Sequence, residues 1–149
     1  EARKSRHSRS IWRAQSRDAA NQAMAQLRGQ VAQTIGTGGL LEFQASPPAW
    51  YVSNASVIQP TSAVFWQTCA AQNLCDETQV TLPNETGRQT FTVYRLVTPT
   101  GVIDPTLCRQ SGYVAVFYNL WVQAIASSNP AAGGATEQAV YRACVPQGS

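Results

Sequence analysis

One helical stripe near the start of the chain constrains the fold more than any other feature. Apolar side chains recur there at steps of three and four residues: Ala20, Met24, Leu27, Val31 and Ile35. This spacing predicts an amphipathic helix over residues 8–35, and the many alanines around the stripe favour it. We expect the run Gly36-Thr37-Gly38-Gly39 to end the helix, with Gly36 as a left-handed cap. Such a helix is roughly 40 Å long, so its later half should pack on a sheet and its first two turns should project.

The beginning of that helix is strongly basic. Six of the eleven lysines and arginines lie in residues 3–17, and the remaining five face seven acidic residues in the rest of the chain. A nucleic-acid-binding domain needs a broad basic face, whereas this chain has only a basic end. Trp12 stands among the arginines, away from the expected core. An exposed tryptophan in that setting is typical of a protein interface or of a helix that leaves a membrane surface.

Three later segments are rich in β-branched and aromatic residues and are predicted to be strands: 91–97, 112–126 and 138–145. Turn-forming residues at 99–101 and 104–105 separate the first two, and a loose loop at 127–135 makes the last two a hairpin. Residues 40–68 are expected to hold one or two short strands or turns. The economical architecture is α+β, with three or four antiparallel strands packed on one long N-terminal helix. The chain forms one domain, in which residues 1–36 are the helix and residues 37–149 the β-rich body.

The chain has an even number of cysteines: Cys69, Cys75, Cys108 and Cys144. In a small chain with few charged residues, this favours an oxidising compartment and disulfides over buried thiols. Four cysteines allow three pairings, and their spacing does not choose strictly among them. We favour Cys69–Cys75, which closes a short loop, and Cys108–Cys144, which ties the last strand to the body. The longer closure would stabilise the fold by ~3–4 kcal/mol.

Residues with catalytic or metal-binding chemistry are few. The one histidine, His7, lies in the basic helix start, where no pocket is expected to hold a general base. The cysteine spacing does not fit zinc, whose ligands usually come in closely spaced pairs. Asp76 and Glu77 are expected in a loop after Cys75, where a calcium site is a weak alternative to plain solvent exposure. We therefore expect no enzyme activity, no cofactor and no small-molecule substrate.

Two stretches resemble type IV pilins and, within that family, the PilX-type minor pilins. The first is a helix start that is basic and then alanine-rich, carried by Glu1-Ala2-Arg3, Arg9, Ile11-Trp12-Arg13-Ala14-Gln15, Ala19-Ala20 and Ala23. The second is a closing hairpin with a Gly-rich turn, carried by Tyr118-Asn119-Leu120-Trp121-Val122-Gln123-Ala124 and Gly133-Gly134-Ala135-Thr136-Glu137-Gln138-Ala139-Val140-Tyr141. Together they cover about half of the chain, at its two ends.

The resemblance implies a pilin-like fold that lacks the apolar helical segment by which this family spans the inner membrane. It also implies a minor pilin, a structural subunit that helps to prime pilus assembly and sits at the tip of the fimbrium with other minor pilins and the major pilin. Its globular domain would be periplasmic before assembly and extracellular in the pilus. Four residues of the helix start are then expected at the partner interface: Arg9, Trp12, Arg13 and Arg17.

Two other functions remain open. A pseudopilin of a type II secretion system would have the same architecture, and a calcium-binding loop would favour it. A secreted adhesin or binding module, with a role such as cell adhesion, would instead need a ligand surface on its β-face and no membrane helix upstream.

Overall fold

The computed structural model describes residues 2–54, 58, 60–84, 87–130 and 134–147, with the side chains of residues 2–13, 38 and 84 left out. The described residues form two helices and four strands in this order: α1 (Ala2–Gly38), α2 (Ala63–Thr68), β1 (Asp76–Asn84), β2 (Gly87–Asp104), β3 (Tyr113–Ala126) and β4 (Gly134–Pro146). Short 3₁₀ turns follow α1 at Leu41–Phe43 and β2 at Pro105–Leu107. The α+β architecture expected from the sequence is confirmed.

The strands form one antiparallel sheet in the order β1-β2-β3-β4, so each strand pairs with its neighbour in sequence. The hairpin of the last two strands is confirmed. The sequence did not predict β1, because only Val80 and Leu82 within it are aliphatic. An edge strand with one packed face needs few apolar residues. Pro83 is tolerated there because an edge strand can do without one ladder hydrogen bond.

Strand β2 is much longer than the segment 91–97 predicted for it. It continues through the expected turn at residues 99–101, where its register with β3 shifts between Pro99 and Ile103. Gly101 takes a φ of 79° inside this irregularity. The Thr100 hydroxyl donates a hydrogen bond to the Phe117 carbonyl at 3.0 Å and accepts one from the Val102 N–H at 3.1 Å. A β-bulge therefore absorbs the turn-forming residues and bends the strand without ending it.

Helix α1 is longer than predicted at both ends. It has 37 residues, which corresponds to about 55 Å. Its first turns carry no apolar stripe, so periodicity did not reveal them. Gly36 lies within the helix, and the prediction that it is the left-handed cap is wrong. The cap is Gly39, whose φ is 79° and whose N–H donates to the Ile35 carbonyl at 2.8 Å. The helical part thus reaches residue 38, beyond the boundary placed at residue 36.

One face of the sheet packs against α1. The fully buried residues of the predicted stripe are Ala20, Leu27 and Val31, while Met24 and Ile35 lie at its margin. Ala19 and Ala23 are also fully buried, so these alanines belong to the core. The helix lies mainly over β3 and β4, whose inward-facing side chains include Tyr118, Leu120, Val122 and Ala124. Small residues on the helix let its backbone approach the sheet closely.

The opposite face of the sheet is partly covered by α2 and the disulfide loop after it. Phe65 and Trp66 of α2 pack with Leu96 of β2, and the Trp66 indole N–H donates to the Pro60 carbonyl at 2.6 Å. Within residues 40–68, the structure has a 3₁₀ turn, a parallel bridge between Tyr51 and Val97, and α2. The sequence did not predict α2, because six residues are too few to show a helical period.

Two disulfides tie the body together, Cys69–Cys75 and Cys108–Cys144, which are the pairs favoured from the sequence. The first closes the loop that leads from α2 into β1. The second joins the segment after β2 to the end of β4. Among the described residues, no helix is both long and apolar enough to cross a membrane.

Candidate functional site

The predicted partner interface lies at the beginning of α1. Of its four residues, only Arg17 has a described side chain, and it is exposed. The side chains of Arg9, Trp12 and Arg13 lie outside the described set, although their backbone belongs to α1. Among the described side chains of α1, which begin at residue 14, the first that is fully buried is Ser16.

The outward face of α1 is polar and lined by small residues. Its exposed positions from Arg17 onward are Arg17, Asp18, Asn21, Gln22, Ala25, Gln26, Arg28, Gly29, Gln30, Ala32, Gln33, Gly36 and Thr37. Alanine is the largest aliphatic side chain among them. Gln30 is also tied to the body, because its side-chain oxygen accepts a hydrogen bond from Arg95 at 3.0 Å. This face allows close approach by a second helix and offers amides for hydrogen bonds.

Asp76 and Glu77 do not form the loop expected from the sequence. They are the first two residues of β1, so their side chains point to opposite faces of the sheet. The Asp76 carboxylate forms a salt bridge with the Arg95 guanidinium, next to Gln30 of α1. Glu77 lies on the other face, near Tyr94. Within the described part of the chain, no cluster of three or more histidine, cysteine or acidic side chains could hold a metal ion.

An apolar groove of about 320 Å³ opens at the end of the sheet where α1 finishes. Four segments that are distant in sequence meet there, and their lining residues are Leu40, Glu42, Phe43, Pro99, Gly101, Ile103, Val114, Val116, Phe117, Tyr118, Val145, Pro146 and Gln147. Phe43 and Ile103 stand at its rim with exposed fractions of 69% and 63%. Glu42 is the one charged residue in the lining. Exposed apolar side chains around a concave surface are typical of a binding site.

Two buried tyrosines stand behind this groove. Tyr118 is 1% exposed and lines it, and the ring of Tyr51 packs edge-on against the Tyr118 ring at 6.3 Å. Neither hydroxyl has a partner within hydrogen-bond geometry among the described residues. The Leu41 amide still lies near enough to the Tyr118 oxygen to affect its titration. A buried hydroxyl without a good partner is unfavourable, so both tyrosines keep unused hydrogen-bonding capacity inside the core.

The electrostatic setting of these tyrosines is acidic. Burial raises the pKa of Tyr51 far above its usual range, and the carboxylate of Glu42 adds to the rise. Burial also raises the pKa of Tyr118, an effect that the Leu41 amide opposes and the charge of Glu42 reinforces. A neutral phenol and a nearby carboxylate favour cationic or hydrogen-bond-donating groups. Sequence analysis did not identify this site, since its parts come together only when the 3₁₀ turn after α1, the bulge of β2 and the ends of β3 and β4 are assembled.

Comparison of the chain with protein-family models, with curated proteins and with solved structures gives no match. The function proposed below is therefore supported by the fold, by the surfaces described above and by the resemblance of the two chain ends.

Proposed function

We propose that the chain is the globular part of a minor pilin, a structural subunit that helps to prime type IV pilus assembly and sits at the pilus tip. One observation supports the proposal more than any other. A 37-residue helix, about 55 Å long, packs on an antiparallel four-stranded meander, and from Arg17 onward its outward face is polar and carries only small aliphatic residues. A long helix with such a face is suited to a shared helical bundle.

The outward face of α1 supports this function. Neighbouring helices can approach its alanines and glycines closely, and its glutamines can hydrogen-bond across the contact. The basic beginning would pair with acidic groups on partner helices or with lipid headgroups near the inner membrane. The sheet and the disulfide-tied loops would then face outward, in the periplasm before assembly and outside the cell afterwards. The partners would be other minor pilins and the major pilin.

The test is a charge reversal at the helix start, Arg13→Glu with Arg17→Glu. We expect the variant to co-purify poorly with the filament proteins of its native host, because the partner groups would then meet like charges. Its thermal midpoint should match that of the unchanged chain, since the exposed side chain of Arg17 is not part of the core. The matched control is Arg142→Glu, which reverses an exposed charge on β4. Equal co-purification of both variants, or loss of folding in the first, would contradict the proposal.

The sequence of the native precursor distinguishes a pilin from the alternative of a secreted binding module. An apolar segment of about 20 residues upstream of Glu1 is expected for a pilin or a pseudopilin. A cleaved secretory signal directly upstream would favour the binding module, in which the groove would be the ligand surface. A pseudopilin would be distinguished from a pilin by co-purification with a secretion apparatus in place of a pilus.

A further inference from the structure

The groove at the end of the sheet has a well-defined chemical preference. Its walls are made of aliphatic, aromatic and proline side chains, and Glu42 supplies its one charge. Tyr118 also lines it, but its hydroxyl is buried. A complementary group is large and apolar and carries a positive charge nearby. A tryptophan beside arginines has both properties, because the indole is a large apolar ring and the guanidinium pairs with carboxylates.

The chain itself carries such a segment. Trp12 is the one phenylalanine, tyrosine or tryptophan in residues 1–40, and it lies between Arg9 and Arg13. Arg9 and Trp12 are three positions apart in α1, a spacing at which helix residues are neighbours, so a cation and an indole lie close together in this segment. The helix start is basic, whereas the body beyond residue 17 has five arginines against seven acidic residues. The charges of the two surfaces are therefore complementary.

The segment cannot reach the groove of its own chain. Trp12 lies 26 residues before the end of α1 at Gly38, which is about 40 Å along the helix axis. The groove begins at Leu40, just past that end. The contact must therefore form between two molecules, with the beginning of one helix against the far end of the next molecule. Such a head-to-tail contact uses two different surfaces, so it need not close on itself and can continue into a chain of subunits.

We propose that this groove receives the Trp12-bearing helix start of a second copy of the protein. In the contact, the indole of Trp12 fills the groove between Phe43 and Ile103. Arg9 or Arg13 pairs with Glu42. The proposal goes beyond the assignment as a minor pilin and does not depend on it, because self-association through these surfaces can be measured on the chain alone.

The experiment measures self-association of the full chain by sedimentation velocity over a series of protein concentrations. We expect reversible, concentration-dependent growth in size that weakens as salt is added, because part of the contact is electrostatic. Trp12→Ala should weaken the association about tenfold or more, as is usual for a buried aromatic anchor. Glu42→Lys should weaken it as well, whereas Glu77→Lys should not, because it makes the same charge change at an exposed position on the outer face of β1.

The most specific test exchanges the charges of the two contacting surfaces. Glu42→Lys combined with Arg9→Glu and Arg13→Glu should recover association that Glu42→Lys alone has lost. A peptide of residues 3–17 added to the ¹⁵N-labelled chain should shift the amide signals of Val116, Tyr118 and Val145. A chain that stays monomeric at high concentration and shows no shifts with the peptide would overturn the proposal. Association that is unaffected by both Trp12→Ala and Glu42→Lys, in variants that melt normally, would overturn it too.

Discussion

Gly36 and Gly39 lie three residues apart at the end of α1 and have opposite roles. Gly36 is helical and exposed, and a methyl group added to it would meet no other atom within 4 Å. Gly39 has a φ of 79°, which side-chain-bearing residues rarely adopt. The sequence offers three glycines within four positions, and local propensity does not decide which of them takes the left-handed conformation. Alanine substitution separates the two roles.

Gly36→Ala should raise the free energy of unfolding by about 0.5–1 kcal/mol, because alanine loses less backbone entropy than glycine in a helix. Gly39→Ala should lower it by roughly 1–2 kcal/mol, because alanine is strained at a positive φ. Urea denaturation of the two variants and the unchanged chain measures both values. The opposite pattern would mean that the helix ends at Gly36 after all.

Tyr118 is buried, and its pKa is raised mainly by that burial. The folded chain therefore keeps the phenol proton at a pH where the unfolded chain, titrating near pH 10, has begun to lose it. The contribution of Tyr118 to stability is complete below about pH 10 and decreases as the pH rises through the folded-state value. At neutral pH its hydroxyl contributes little, since it lacks a good partner.

Tyr118→Phe should therefore leave the urea midpoint at pH 7 unchanged or slightly higher. Between pH 7 and about pH 10.5 the variant should lose less stability than the unchanged chain, because it has no phenol to titrate at this position. The measurement is a pair of urea denaturation curves at each pH, and the pH 7 pair is the control. Parallel losses in the two proteins would show that Tyr118 does not contribute to alkaline destabilisation.

Helix α1 packs on β3 and β4 through a seam whose buried side chains become smaller toward the helix start. They change from Leu27 and Val31 to Ala23, Ala20 and Ala19. The sequence predicted the stripe from its larger side chains and credited the alanines only with helix propensity. Which alanines face the sheet is set by the position of the helix on β3 and β4, which periodicity indicates only approximately.

Ala23→Leu should destabilise the chain by about 1–3 kcal/mol, because the closely packed seam has no room for a larger side chain. Ala25→Leu is the matched control, because Ala25 is exposed on the same helix, and the effect should stay within about 0.5 kcal/mol. Thermal and urea denaturation monitored by circular dichroism compare the two variants. Similar effects at both positions would contradict the orientation of α1 described above.

At the scale of the whole molecule, the two disulfides constrain very different lengths of chain. Cys69 and Cys75 are 6 residues apart, whereas Cys108 and Cys144 are 36 apart and join the segment after β2 to the last strand. The loss of chain entropy on closing a loop grows with the logarithm of its length, so the longer closure is worth more. It also holds the β3–β4 hairpin beside one end of the groove.

Replacing Cys108 and Cys144 by alanine should cost about 4 kcal/mol of unfolding free energy, against about 2–3 kcal/mol for replacing Cys69 and Cys75. Urea denaturation of the two double variants gives the comparison, and the chain with both disulfides intact is the reference. A larger loss from the shorter loop would mean that the packing of α2 on the sheet, and not loop closure, sets the effect.

Much of this architecture follows from the sequence alone. A helical period in residues 20–35 predicts a helix with one apolar face. β-Branched and aromatic residues in 112–126 and 138–145, with a turn-forming loop between them, predict a hairpin. The favoured cysteine pairs also agree with the structure. The sequence did not predict strand β1, helix α2 or the passage of β2 through residues 99–101. Each of these depends on a neighbouring element that supplies hydrogen bonds or a packed face.

Of the two proposed functional surfaces, the sequence reveals one and the tertiary structure the other. The basic, tryptophan-bearing helix start is visible in the order of the residues, because charge and composition are properties of a continuous segment. The groove is not, since Glu42, Ile103, Tyr118 and Val145 become neighbours only when four separate elements meet at one end of the sheet. The sequence therefore determined a helix with two unlike halves and a disulfide-tied antiparallel body. Only tertiary packing decided that a concave apolar site with buried hydroxyls lies at the far end, because bringing distant residues together requires the whole fold.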